Sequence, residues 1–167
     1  WAKHSLYQYL ALRCQAESVD LVWFRVFYVF GIGQRRGSLI PSLVHALREG
    51  KIPTIRTPLS KNDFVCIEDV ALVLARAVGA RCASGIYNMG SGVATSVYDI
   101  CKIIEDLHQD SANFADEILR GGSVDETVDF WANTDKTATT FDLLPDTDIV
   151  QACKRYIETI DNRDVAV

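Results

Sequence analysis

The run from Val19 to Phe30 constrains this chain most. It is built of β-branched and aromatic residues that fill both alternating faces, with Arg25 as the charge in its middle. A strand apolar on both sides is covered on both sides, which is the habit of parallel sheets with helices on their faces. Helical patterning surrounds it. Ala2, Leu6, Leu10 and Cys14 recur at spacings of four over residues 1–18. Downstream, Ser38 precedes a helix with Pro41 in its first turn, Leu39, Leu43 and Leu47 on one face, and Gly50 as its stop. Phe64–Ile67 reads as a short strand feeding an apolar helix from Val70 to Val78 that ends at Gly79. Ile86–Met89 reads as another strand, closed by the turn Gly90-Ser91-Gly92. Ser96 and Asp99 form a capping-box pair ahead of Val97, Ile100, Cys101, Ile104 and Leu107, the clearest amphipathic helix. Ile149, Val150, Cys153, Ile157 and Ile160 mark the last helix. Alternation of this kind predicts an α/β fold, with about three convincing strands, in one domain spanning residues 1–167.

Composition narrows the partners. Seventeen Lys and Arg against 22 Asp and Glu give a net charge of −5. That balance argues against a nucleic-acid or anionic-membrane surface. The longest nearly uncharged apolar stretch, Val26–Gly33, is far short of the roughly 20 residues of a membrane span. Trp1 opens no signal-peptide pattern, and the one Met is Met89, so translation is expected to start before Trp1. Cys14, Cys66, Cys82, Cys101 and Cys153 are odd in number and never paired as Cys-x-x-Cys, which fits buried or half-buried thiols in a reducing cytoplasm. His4, His45 and His108 lie too far apart to suggest a metal site, and no G-x-S-x-G elbow is present.

Three clusters invite a chemical reading. Gly31-x-Gly33-x-x-x-Gly37 follows a strand and precedes a helix, as a pyrophosphate-binding turn would. Its spacing departs from G-x-G-x-x-G, and no strand ending in an acid follows about 20 residues on, so a plain turn is favoured. Lys3 and Tyr7 share one helix face, where a solvated charge is the usual outcome. Asn62-Asp63-Phe64 and Asn88-x-Gly90-Ser91-Gly92 read as turn and cap chemistry, although the second could hold an anion at the following helix.

In order, these pieces resemble the C-terminal half of the extended short-chain dehydrogenases/reductases, the NAD-dependent epimerase/dehydratase family acting on nucleotide sugars. Trp1-Ala2-Lys3 looks like the end of the catalytic Y-x-x-x-K. Arg25-Val26-Phe27-Tyr28-Val29-Phe30-Gly31-Ile32-Gly33-Gln34 looks like R-P-F-N-V-Y-G-P-G-Q. Ser38-Leu39-Ile40-Pro41, Asp63 to Ala71, Tyr87 to Gly92, Phe130 to Lys136 and Leu144-Pro145 follow at the separations of the family, so the resemblance covers nearly the whole chain.

The resemblance implies a partial Rossmann-like fold without the N-terminal dinucleotide-binding half. It implies Lys3 as the catalytic Lys that binds the nicotinamide ribose and lowers the pKa of the acid/base Tyr. That Tyr would stand two residues before Trp1. Phe27 falls on the cofactor side; Tyr28, Ser38, Leu39, Thr54, Ile55, Asn62 and Arg120 fall on the substrate side. Two positions depart from the family. Tyr28 stands where an Asn contacts the substrate, and Asn62 where an Arg pairs with the diphosphate, a loss of one bidentate contact. Arg120 matches the family's second phosphate-binding Arg, and Arg35 and Arg36 are further candidates. Arg56-Thr57-Pro58 with Asn62-Asp63-Phe64 is similar to the deoxysugar-forming branch. The expectation is the sugar-nucleotide-binding portion of an NAD- or NADP-dependent epimerase, dehydratase or ketoreductase, inactive and without bound cofactor as this chain alone, and assembled as a homodimer or larger oligomer. The alternative is a non-catalytic binding or oligomerisation module on the same fold.

Overall fold

The structure is a computed structural model that describes residues 1–80, 84–108, 113–123, 127–145 and 147–165, with side chains as far as Asn162. Its elements alternate as the sequence predicts. They are α1 (Ala2–Ala16), β1 (Val22–Val26), β2 (Tyr28–Phe30), α2 (Leu39–Arg48), β3 (Lys61–Asn62), β4 (Phe64–Cys66), α3 (Ile67–Gly79), β5 (Gly85–Met89), β6 (Thr95–Ser96), α4 (Val97–Leu107), α5 (Phe114–Gly121), α6 (Asp135–Phe141) and α7 (Ile149–Val165). The long strands are parallel: β1 runs beside β5 and β2 beside β4, while β3 and β6 make a short antiparallel pair.

One expectation needs correction. The apolar run 19–30 is two strands, because the chain changes partner at Phe27. Its N–H donates to Met89 O at 3.0 Å, whereas the next N–H, of Tyr28, donates to Asp63 O at 3.0 Å. Coverage on both faces also fails, since β1 buries no residue fully and only Phe30 of β2 is buried. Short pairs raise the strand number to six among the described residues. The stripe on α1 is also displaced. Tyr7, Leu10, Ala11 and Cys14 are the half-buried positions, while Ala2 and Leu6 are exposed.

The main core lies on one side. Leu43 and Val44 of α2, Ile100, Cys101 and Ile104 of α4, Phe114, Ala115 and Ile118 of α5, and Ala152, Cys153 and Ile157 of α7 close around Phe30 and Phe64. Each fully buried aliphatic side chain there contributes about 1.5–3 kcal/mol. α4 starts as expected: Ser96 Oγ accepts from Asp99 N at 3.0 Å, and Ser96 N donates to Asp99 Oδ2 at 3.1 Å. A smaller cluster of Val65, Val70, Val73 and Met89, with Phe24 and Val29 against it, supports the other side. Cys66, Cys101 and Cys153 are buried and Cys14 half-buried; all four are free thiols. Cys82 lies outside the described residues. No described helix is long and apolar enough to cross a membrane.

Candidate functional site

The partner switch at Phe27 creates the site. Strands β1 and β5 end together, with Arg25 opposite Asn88 and Val26 opposite Met89, while β2 turns away toward β4. Diverging neighbours at the carboxyl ends of parallel strands leave a crevice, the usual ligand position of α/β sheets. A cavity of about 510 Å³ opens there, lined by Arg25, Val26, Phe27, Tyr28, Asn88 and Phe130. Phe130 closes it: its ring centroid lies 5.6 Å from that of Phe27 and 5.8 Å from that of Tyr28, and Tyr28 also packs on Phe64 at 5.9 Å.

A buried carboxylate fixes the floor. Asp63 is fully buried, and its Oδ1 accepts from Ser91 N and Ser91 Oγ, both at 2.7 Å. Its Oδ2 accepts from Gly92 N at 2.9 Å and Ala132 N at 3.1 Å. Four donors replace the water lost on burial, so no cation is required. The same residue thereby ties β4, the turn after β5, and the segment carrying Phe130. Gly90 has to be glycine at this junction, since a Cβ there would collide with the Asp63 carboxylate and stand 2.9 Å from Ala132 Cβ.

A second cavity of about 340 Å³ adjoins the first along β1, lined by Lys3, His4, Tyr7, Trp23, Phe24, Arg25, Val26 and Ile86. Arg25 and Val26 belong to both. Tyr7 and Trp23 meet across it, centroids 5.4 Å apart. Among the described residues no acidic side chain lines either cavity.

The structure thus brings Lys3, Phe27 and Tyr28 to one cleft. The other candidates line neither cavity. Ser38 stands at the N-cap of α2 without a side-chain cap bond, and Leu39 packs on the main core. Thr54 is exposed and Ile55 half-buried in the loop before β3. That loop touches the end of α5, where Ser123 N donates to Arg56 O at 2.7 Å, one turn from exposed Arg120. Asn62 is half-buried in β3. Sequence reasoning missed Arg25, Asn88 and Phe130 as lining residues. Arg25 carried a signal, as the charge inside an apolar run; Phe130 stood only within the resembling stretch Phe130 to Lys136, with nothing local to aim its ring at partners about a hundred positions earlier.

Residues 1–90 match the family described as NAD dependent epimerase/dehydratase. The chain belongs to that family. Every residue lining the two cavities except Phe130 falls in the matched span. Comparison with curated protein sequences gives no match. Among solved structures the fold is similar to UDP-glucose 4-epimerase from Thermotoga maritima with UDP-glucose, at TM-score 0.81 and 16% identity, covering 97% of this chain and 52% of that one. It is also similar to UDP-glucuronic acid 4-epimerase from Bacillus cereus in complex with NAD, at 0.79 and 20%, covering 93% and 48%. For dTDP-glucose 4,6-dehydratase from Bacillus anthracis in complex with NAD the values are 0.74 and 16%, covering 91% and 48%. The chain therefore spans about half the length of the structures it matches, and the α/β, Rossmann-like fold class is theirs.

The family implies NAD. Lys3 lines the smaller cavity and Phe27 the larger; an ammonium there would donate to ribose hydroxyls and an aromatic ring there would face a nicotinamide. Within the Gly31–Gly37 segment, the Ile67 side chain fills the space a Cβ would take at Gly31, which adopts φ +148, while nothing stands within 4 Å of a Cβ at Gly33 or Gly37. Residues 32–33 and 36–37 are turn backbone, as the plain-turn reading expects. No group of three His, Cys, Asp or Glu among the described residues is placed to hold a metal.

Proposed function

We propose that this chain is the sugar-nucleotide-binding portion of an NAD(P)-dependent nucleotide-sugar epimerase, dehydratase or ketoreductase. The observation that carries the reading is the coincidence of the family match at 1–90 with the cleft at the carboxyl ends of β1 and β5. In this reading Tyr28 and Phe130 face the sugar, Phe27 lies on the cofactor side, and Lys3, one cavity away, holds the ribose of the cofactor. The cofactor supplies hydride transfer when bound. Lys3 would favour the anionic form of an acid/base tyrosine by its charge. The loop around Thr54 and Ile55, with Arg120 and Asn62, would receive the nucleotide and its diphosphate.

More of the positions that match the family's pattern fall on the substrate side than on the cofactor side, so in this reading the isolated chain favours a nucleotide sugar over NAD. Thermal-shift titration reads this directly, because a ligand binding only the folded state stabilises by RT ln(1 + [L]/Kd), about 2.7 kcal/mol at a hundredfold excess over Kd. Stabilisation by UDP-glucose and weaker or no stabilisation by NAD is expected; stabilisation by NAD alone overturns the reading. Assembly belongs to the same proposal. Leu6, Tyr9 and Leu12 of α1 are 50%, 60% and 69% exposed, and exposed large apolar side chains of this kind favour association into a homodimer or larger oligomer. Light scattering near 18.6 kDa across micromolar concentrations contradicts it.

A further inference from the structure

The charge of the chain is −5, yet the charged side chains among the described residues that line the two cavities are Arg25, shared by both, and Lys3 in the smaller. Two cations with no described carboxylate beside them in the lining create a local field for anions. Arg25 stands at the centre of that field, shared by the two cavities, and it forms no hydrogen bond or ion pair among the described residues. Its register partner is Asn88. Asn88 Nδ2 donates to Asn133 O at 3.0 Å, which fixes the amide of a residue lining the same cavity as Arg25. The remaining walls are the rings of Phe27, Tyr28 and Phe130.

We propose that Arg25 is the oxyanion anchor of this cleft: the larger cavity takes a sugar ring bearing a carboxylate or phosphate, with the oxyanion on Arg25, a neighbouring hydroxyl donating to Asn88 Oδ1, and the ring against Tyr28 and Phe130. The inference rests on the nucleotide-sugar reading and names the acidic group that the sugar carries into the cavity. A guanidinium fork matches either oxyanion in a bidentate manner, and an ammonium does not. The rings of Tyr28 and Phe130 offer the apolar faces against which a sugar ring would stack. A volume of about 510 Å³ suits one such ring within the usual range of ligand sites. Because Arg25 is exposed and unpaired, replacing it removes no structural bond.

The test is ligand titration of the full 167-residue chain and of Arg25→Met and Arg25→Lys, followed by the aromatic NMR signals of Phe27, Tyr28 and Phe130. The probes are glucose, glucuronate, glucose 1-phosphate, UDP-glucose and UDP-glucuronic acid. The expected result is that an acidic sugar shifts these signals and neutral glucose does not. Affinity for it should fall about tenfold or more in Arg25→Met and recover in part in Arg25→Lys, with the melting temperature unchanged. A response to glucuronate alone assigns the carboxylate, a response to glucose 1-phosphate alone assigns the phosphate, and either supports the proposal. Equal binding of glucose and the acids, an Arg25→Met variant that binds like the parent, or no arginine-dependent response to both acids overturns it. If UDP-glucose binds the parent while neither glucuronate nor glucose 1-phosphate responds through Arg25, the anchor falls while the nucleotide-sugar reading stands. If the acids bind through Arg25 but the UDP-sugars do not bind, the reading falls and the anchor stands.

Discussion

Helices α4 and α1 are of comparable length, 11 and 15 residues, but they live in different physical settings. α4 buries Val97, Ile100, Cys101 and Ile104 between α2, α5 and α7, and its first turn is closed by a reciprocal cap. α1 buries nothing, and neither does β1 beside it. The first region is a closed lobe that satisfies itself. The second is an open layer whose apolar and basic groups face outward. The cleft lies in the open layer, and Asp63 is the seam between the two, which teaches that the rigid part of this fold serves mainly to hold a poorly buried part in position.

Cutting the seam has the largest expected effect. Asp63→Ala orphans three backbone N–H groups and the Ser91 hydroxyl, at roughly 1–3 kcal/mol per buried donor, so a loss of about 3–6 kcal/mol in urea unfolding is expected. A loss below about 1 kcal/mol would mean that the two regions are not joined there. Next comes a matched pair. Ile100→Ala in the closed lobe should cost about 2–5 kcal/mol, and Leu12→Ala in the open layer no more than about 0.5 kcal/mol. Equal costs in the two variants would erase the distinction. Ser96→Ala removes the α4 cap and should cost about 1 kcal/mol, visible as a shifted urea midpoint with an unchanged slope.

Local signals were the legible ones. The Ser96–Asp99 cap is spelled within four residues, and the glycine turn after Phe30 within seven, so both could be read before any tertiary contact was known. The partner switch at Phe27 could not, because apolarity says that a residue will be covered and not by which strand. α5 and α6 escaped notice because both are short, and α6, with Thr137 and Phe141 as its buried positions, barely repeats a helical period. α1 misled for the opposite reason: apolar residues spread around it give no single face. Of the site, Lys3, Phe27 and Tyr28 were placed by resemblance. Asp63 was legible as part of a motif but not as a hub, since its acceptor oxygens serve residues 28 to 69 positions away.

The smallest effects concern the thiols. Burial pushes Cys101 and Cys153 up to about 12. A pKa raised on folding adds stability that is complete below the unfolded value near pH 9 and is lost as pH rises toward 12. Alkaline titration should therefore weaken the closed lobe above about pH 9. At neutral pH, thiol labelling should reach Cys14 of the open layer first and spare Cys101 and Cys153 until unfolding. Simultaneous labelling of all three would contradict the packing of the lobe.

Hydrogen–deuterium exchange of the chain with and without UDP-glucose tests the central claim most directly. Slow exchange in α2, α4 and α5 that the ligand leaves unchanged, with protection gained along residues 22–30 and 85–93, is the predicted result. Protection gained only within the closed lobe, or nowhere, would contradict a ligand cleft held in the open layer.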